Sequence, residues 1–112
     1  MKTKIETNIH IGGRKEVCPE EIIVLVADIN YTQVFFYDGT KTIVATTLGE
    51  LERRFRVNPL FFRTHKSFLI NLNFVANHEN LAENYIKMSN ETKVIVSRRK
   101  KLALQLKIQN NI

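Results

Sequence analysis

Two short runs cluster basic side chains with hydroxyls and a histidine: Phe62-Arg63-Thr64-His65-Lys66-Ser67 and Ser97-Arg98-Arg99-Lys100-Lys101. A guanidinium can donate two parallel hydrogen bonds to a phosphate or to guanine O6 and N7, and a lysine supplies a mobile point charge. Both runs therefore suit a polyanion. His65 and Ser67, with Cys18 or an acid as third member, also have the residue types of a nucleophilic triad. A catalytic histidine needs an aligned nucleophile, however, and no nucleophile motif is present, so no enzymatic activity is expected. Cys18 is the only cysteine and cannot close an internal disulfide; it reads as a small, partly buried residue. His10, His65 and His78 lie far apart, without His-Glu-x-x-His spacing or a cysteine pair. Neither a metal nor another cofactor is expected.

The charge distribution agrees with the two runs. From Arg53 to Ile112 there are twelve Lys or Arg against three acids, a formal +9, whereas residues 1–52 carry five bases against eight acids, a formal −3. No acid follows Glu91. Such an imbalance in a small chain points to a polyanionic partner, most often nucleic acid. The 112 residues make one domain by length, and 44% apolar with 25% charged residues is ordinary for a folded soluble protein. No window is long and apolar enough for a transmembrane helix, and the N-terminus returns to charge too soon for a signal peptide. The expectation is a cytoplasmic protein without direct membrane insertion.

Several elements must position these runs. Ile5, Thr7, Ile9 and Ile11 alternate with Glu6, Asn8 and His10, the period of a half-buried strand, which Gly12-Gly13 ends. Pro19-Glu20-Glu21 opens a short helical turn, and 22–27 follows as a mostly buried strand. Strands over 33–37 and 41–45 flank the hairpin signal Asp38-Gly39-Thr40. Thr47-Leu48-Gly49-Glu50 fits a capping box, with Leu48, Leu51 and Phe55 on one helical face and Asn58-Pro59 as the stop. The stretch 61–71 is less regular, though Phe68 and Ile70 mark a strand. Tyr85, Lys87 and Ser89 alternate with Ile86 and Met88 up to a turn at Asn90-Glu91, and 93–96 returns. Ser97 then caps a last helix whose apolar stripe is Leu102, Leu106 and Ala103. The sum is a mainly β single domain over 1–112 with two or three short helices.

Four passages together resemble the LytTR DNA-binding domain of bacterial transcription regulators (the AlgR/AgrA-like type). They are Asp28-Ile29-Asn30-Tyr31-Thr32 with Val34-Phe35-Phe36 and Asp38-Gly39; Thr47 to Glu52; Phe62-Arg63-Thr64-His65-Lys66-Ser67-Phe68-Leu69-Ile70-Asn71; and Val96-Ser97-Arg98-Arg99. The third is the family's hallmark, and the order and separation of all four match across roughly residues 5–106. The resemblance implies about ten short strands in small antiparallel sheets. It also implies that loops between strands, in place of a recognition helix, enter successive major grooves on one side of double-stranded DNA, often at direct repeats occupied by two copies. Family members usually carry the domain behind a phosphorylatable receiver. This chain has no room for one, so it is expected to be a stand-alone regulator or an excised domain.

Carried over residue by residue, the resemblance makes Arg98 the first DNA-contacting candidate and Lys66 the second. Tyr31 sits in a third DNA-facing loop, and Asn30 beside it has the groups to read an adenine edge. Arg63, Arg99, Lys100 and Lys101 are candidates for phosphate contacts, which supply affinity but little sequence information. Against this, Arg98 and Lys66 could be solvated bases and Tyr31 a packing residue. Arg53, Arg54 and Arg56 read as the solvated face of the first helix. His65 is expected to be a structural, hydrogen-bonded residue, and Asn71 to organise the turn after it.

Two other readings remain open. An RNA-binding module would use the same basic surface, with Phe35, Tyr37 or Phe61 stacking bases, although no recognisable RNA-binding motif accompanies them. A protein-interaction or dimerisation module would use Leu104 and Ile108, should these lie outside the last helix's buried face, to pair with a second copy or a regulatory protein partner.

Overall fold

The computed structural model describes residues 8–110. Among these residues, ten strands form three antiparallel sheets, and two α-helices pack beside them. Strands β1 (Ile9–Gly12) and β2 (Lys15–Val17) make a hairpin. Its turn holds Gly13 and Arg14 at φ 57° and 64°, a left-handed pair that suits the twist of flanking strands. Ile9 and Ile11 point inward as their alternation requires. The expected start of this strand, at Ile5 and Thr7, lies outside the described residues.

The main sheet contains β3 (Ile22–Asp28), β4 (Tyr31–Phe36), β5 (Lys41–Val44), β6 (Phe61–His65) and β7 (Phe68–Asn71). Its order is β5-β4-β3-β7-β6, with β3 in the middle. The third sheet, in the order β10-β9-β8, holds β8 (Val75–Asn77), β9 (Tyr85–Met88) and β10 (Lys93–Ile95). Helices α1 (Leu48–Phe55) and α2 (Lys101–Asn110) complete the fold.

The main sheet is buried on both faces, which explains why 22–27 reads as a continuous apolar run. Ile22 and Leu25 join Ile9, Ile11, Leu48, Leu51, Phe55 and Leu69 in one core. Ile23 and Val24 join Ile70, Ile86, Met88, Val94, Val96 and Leu104 in the other. Two neighbouring residues can face the same side because the register of β3 against β4 shifts between Ile22 and Val24. Asn71, buried at the end of β7, satisfies both ends of its amide: Oδ1 accepts from Asn73 N and Nδ2 donates to the Ile22 carbonyl, both at 3.0 Å.

The structure completes one sequence expectation, adding a strand before the one marked by Phe68 and Ile70, and corrects two others. The irregular stretch 61–71 is a hairpin, β6 to β7, closed by the turn Lys66-Ser67. Its pattern is obscured because the register slips between Arg63 and His65. Ser97 does not cap α2: it precedes a 3-10 turn, Arg98–Lys100, and makes no side-chain cap bond. Finally, the inward residue of α2 is Leu104, with Ile108 packed beside it, whereas Leu102 and Leu106 are 67% and 49% exposed. Leu104 and Ile108 are therefore not the free pair that a protein-interaction reading would use.

Candidate nucleic-acid interface

Strand pairing decides which candidates meet. In antiparallel register Val26 faces Phe68, and Ala27 N donates to the Ser67 carbonyl at 2.9 Å, so the end of β3 lies beside the β6–β7 turn. Asp28 pairs with Tyr31 across the two-residue loop Ile29-Asn30, at the same end of the sheet. Ser97 N donates to the Thr64 carbonyl at 2.9 Å, which fastens the start of the second basic run to the end of β6. Three segments distant in sequence, 28–31, 65–67 and 97–100, thus lie together at one end of the main sheet's strands.

Arg63 holds the middle segment together. Its Nε donates to the His65 carbonyl at 2.9 Å, one terminal nitrogen to the Lys66 carbonyl at 2.6 Å, and the other to Glu52 Oε1 of α1 at 2.7 Å. The side chain is only 18% exposed. Its hydrogen bonds point into the protein, with the planar fork matched to two turn carbonyls and a carboxylate. Glu52 was not singled out by sequence. Nothing local marks it, since its partner lies on a different element. His65 Nδ1 accepts from Ser67 N at 3.1 Å, and its ring lies 6.1 Å from Phe68, the structural role expected of it. These bonds fix the turn and leave Lys66 exposed at its tip.

The second run is built differently. Arg98 and Arg99 are exposed. Neither they nor Lys66 has an ion-pair partner among the described residues. Lys100 is half-buried, with Nζ 5.6 Å from the centroid of the Phe62 ring. Lys101 departs from the group: its Nζ donates to the Ala82 carbonyl at 3.4 Å, toward the 3-10 turn between β8 and β9. Between the two runs opens a cleft of about 480 Å³ lined by Glu52, Arg63, His65, Lys66, Ser97, Arg99 and Lys100. Four of those seven carry fixed positive charge against one carboxylate, which Arg63 already occupies. The cleft therefore presents a net cationic wall to an anion.

The third segment has another character. Tyr31 is 54% exposed at the start of β4, and Asn30 is exposed beside it. The tip carries Asp28 and no base, so it is locally acidic. Arg53 and Arg54 share the Glu50 carboxylate, Arg54 also donating to the His10 carbonyl at 2.9 Å. Their hydrogen bonds hold Glu50 down to about 2. No group of three His, Cys, Asp or Glu suited to a metal ion occurs among the described residues. No described helix is long and apolar enough to cross a membrane.

Residues 13–109 match the family model of the LytTr DNA-binding domain. Among solved structures, the chain is similar to one described as the LytTr DNA-binding domain of a methyl-accepting/DNA response regulator from Bacillus cereus. The similarity has a TM-score of 0.67 at 19% identity and covers 95% of this chain and 98% of that one. At that identity the likeness speaks to the fold. No curated protein matches significantly.

Proposed function

Because this chain belongs to the LytTR DNA-binding domain family, we propose that it is a sequence-specific regulator of transcription that reads the major groove of double-stranded DNA with its inter-strand loops. One observation carries the reading: three loops from both halves of the chain lie at one end of the main sheet's strands, and the exposed cations of two of them are not consumed inside the protein. Neighbouring strands lie about 4.8 Å apart, so β4 and β6 are separated by roughly 14 Å at this end.

Roles follow from side-chain chemistry. Arg98 is exposed and can grip guanine O6 and N7 or a phosphate. Lys66, Arg99 and Lys100 border the cleft and suit phosphate oxygens. Tyr31 and Asn30 offer a hydroxyl and an amide to base edges or the backbone. Arg63 acts through the loop it holds, and Lys101 sits at the margin with its ammonium turned away. A second copy on an adjacent repeat, a regulatory protein partner and a cytoplasmic location belong to the same proposal.

Selection of binding sites from random duplex DNA tests it. A defined site should emerge, bound far more tightly than a scrambled duplex or single-stranded RNA of the same length. Arg98→Ala should weaken binding to that site by roughly ten- to a hundredfold, the range of one good base contact. Equal affinity for scrambled and selected duplexes would overturn sequence-specific recognition.

A further inference from the structure

The loop joining β3 to β4 contains a residue that the fold alone does not explain. Ile29 has φ 54°, in the left-handed region, and is 94% exposed. A two-residue hairpin loop with positive φ at its first position normally takes Gly, Asn or Asp there. A β-branched side chain is a genuine outlier in that region. It is also a large apolar group with almost nothing around it in the free protein. Backbone strain and an exposed hydrophobe therefore fall on one residue, at the end of the sheet proposed above to face DNA. Strain concentrated at ligand-facing sites is a recognised pattern.

The surroundings narrow what Ile29 would touch. Its neighbours are Asp28, an exposed acid whose Oδ2 accepts from Gln33 at 3.2 Å, then Asn30 and Tyr31. With one carboxylate and no base, this tip is unsuited to the phosphate backbone, whereas the adjoining turn presents Lys66. Within the major groove, the C5-methyl of thymine is the apolar group that a base edge offers. Resting on the DNA-binding reading above, we infer that Ile29 is a specificity-determining residue that packs against a thymine C5-methyl, while the cations of the neighbouring loops hold the flanking phosphates.

The test uses the full chain and the duplex selected from the random pool. Each thymine in turn is replaced by deoxyuridine, which removes the methyl and leaves base pairing intact. For the wild-type protein one thymine should stand out, its replacement weakening binding about three- to tenfold, as the loss of one or two buried apolar carbons predicts. Ile29→Gly should lose that difference and weaken binding to the thymine duplex by the same factor. It should also melt at a temperature no lower than wild type, because glycine accepts positive φ without strain. Ile29→Ala should lose the discrimination but keep the strain, separating side chain from backbone. If Ile29→Gly still distinguishes thymine from deoxyuridine, or if no thymine in the site is methyl-sensitive, the inference is overturned while DNA binding stands. If no duplex is selected at all, the DNA-binding reading fails first.

Discussion

Replacing Arg63 with Ala would leave the Glu52 carboxylate and the His65 and Lys66 carbonyls without their common donor in a mostly enclosed position. Hydrogen bonds to a charged group are worth about 1.5–3 kcal/mol each, so a loss of roughly 2–3 kcal/mol is expected after water replaces some of them. For a domain of this size that lowers the melting temperature by about 10 °C or more. Lys66→Ala should behave in the opposite way. It removes an exposed ammonium, leaves stability within about 0.5 kcal/mol, and makes the log-log salt dependence of DNA binding shallower by roughly 0.9. Thermal melting and binding titrations at several salt concentrations separate the two roles; a Lys66→Ala protein with an unaltered salt slope would remove Lys66 from the phosphate contacts. The sequence motif presents both residues as bases three positions apart. It cannot tell them apart because the difference is made by a two-residue turn that points two carbonyls back at one guanidinium.

The elements show where periodicity carries information and where it fails. Leu48, Leu51 and Phe55 recur at helical spacing, and all three are buried in α1. Thr47 Oγ1 accepts from Glu50 N at 3.3 Å, as the capping pattern requires, but the Glu50 carboxylate turns to Arg53 and Arg54. Those partners lower its pKa from 4.5 to about 2. A depressed carboxyl stabilises the fold above its unfolded value, and the contribution disappears as pH falls from 4.5 through about 2. Glu50→Gln should flatten the acid side of the stability profile in that window, measured as the urea midpoint against pH; an unchanged slope would assign acid unfolding to other groups. In α2, by contrast, Leu102, Leu104, Leu106 and Ile108 repeat every second residue. On a helix this makes two apolar stripes on nearly opposite sides, and nothing in the sequence ranks them. In the folded chain, which begins α2 directly after a 3-10 turn, it is Leu104 that faces inward. Leu104→Ala should therefore cost about 2–5 kcal/mol in urea unfolding, and Leu102→Gln little.

At the scale of the molecule, the charge imbalance between the halves was visible from composition, yet it located only part of the candidate interface. The Asp28–Tyr31 loop belongs to the acidic half. It reaches the basic loops because Ala27 and Ser67, forty residues apart, pair across β3 and the β6–β7 turn. That pairing depends on sheet order, which local pattern does not encode. Its consequence for DNA is geometric. All the candidate loops lie at one end of the sheet, so two copies reading repeats from one side of a duplex must keep the same helical phase. One turn of B-DNA is about 34–36 Å, whereas the molecule measures 43 × 39 × 25 Å. Copies one turn apart can fit only with the 25 Å dimension along the duplex; copies two turns apart fit in any orientation. Tandem selected sites should therefore bind cooperatively at centre spacings of about 10 or about 21 base pairs, and lose cooperativity at about 5 or 15, where the second copy faces the opposite side. Gel-shift titrations over such a spacing series measure this directly. Cooperativity that ignored helical phase would remove the side-by-side arrangement, because rigid loops confined to one end of the sheet have no means of following a site around the helix.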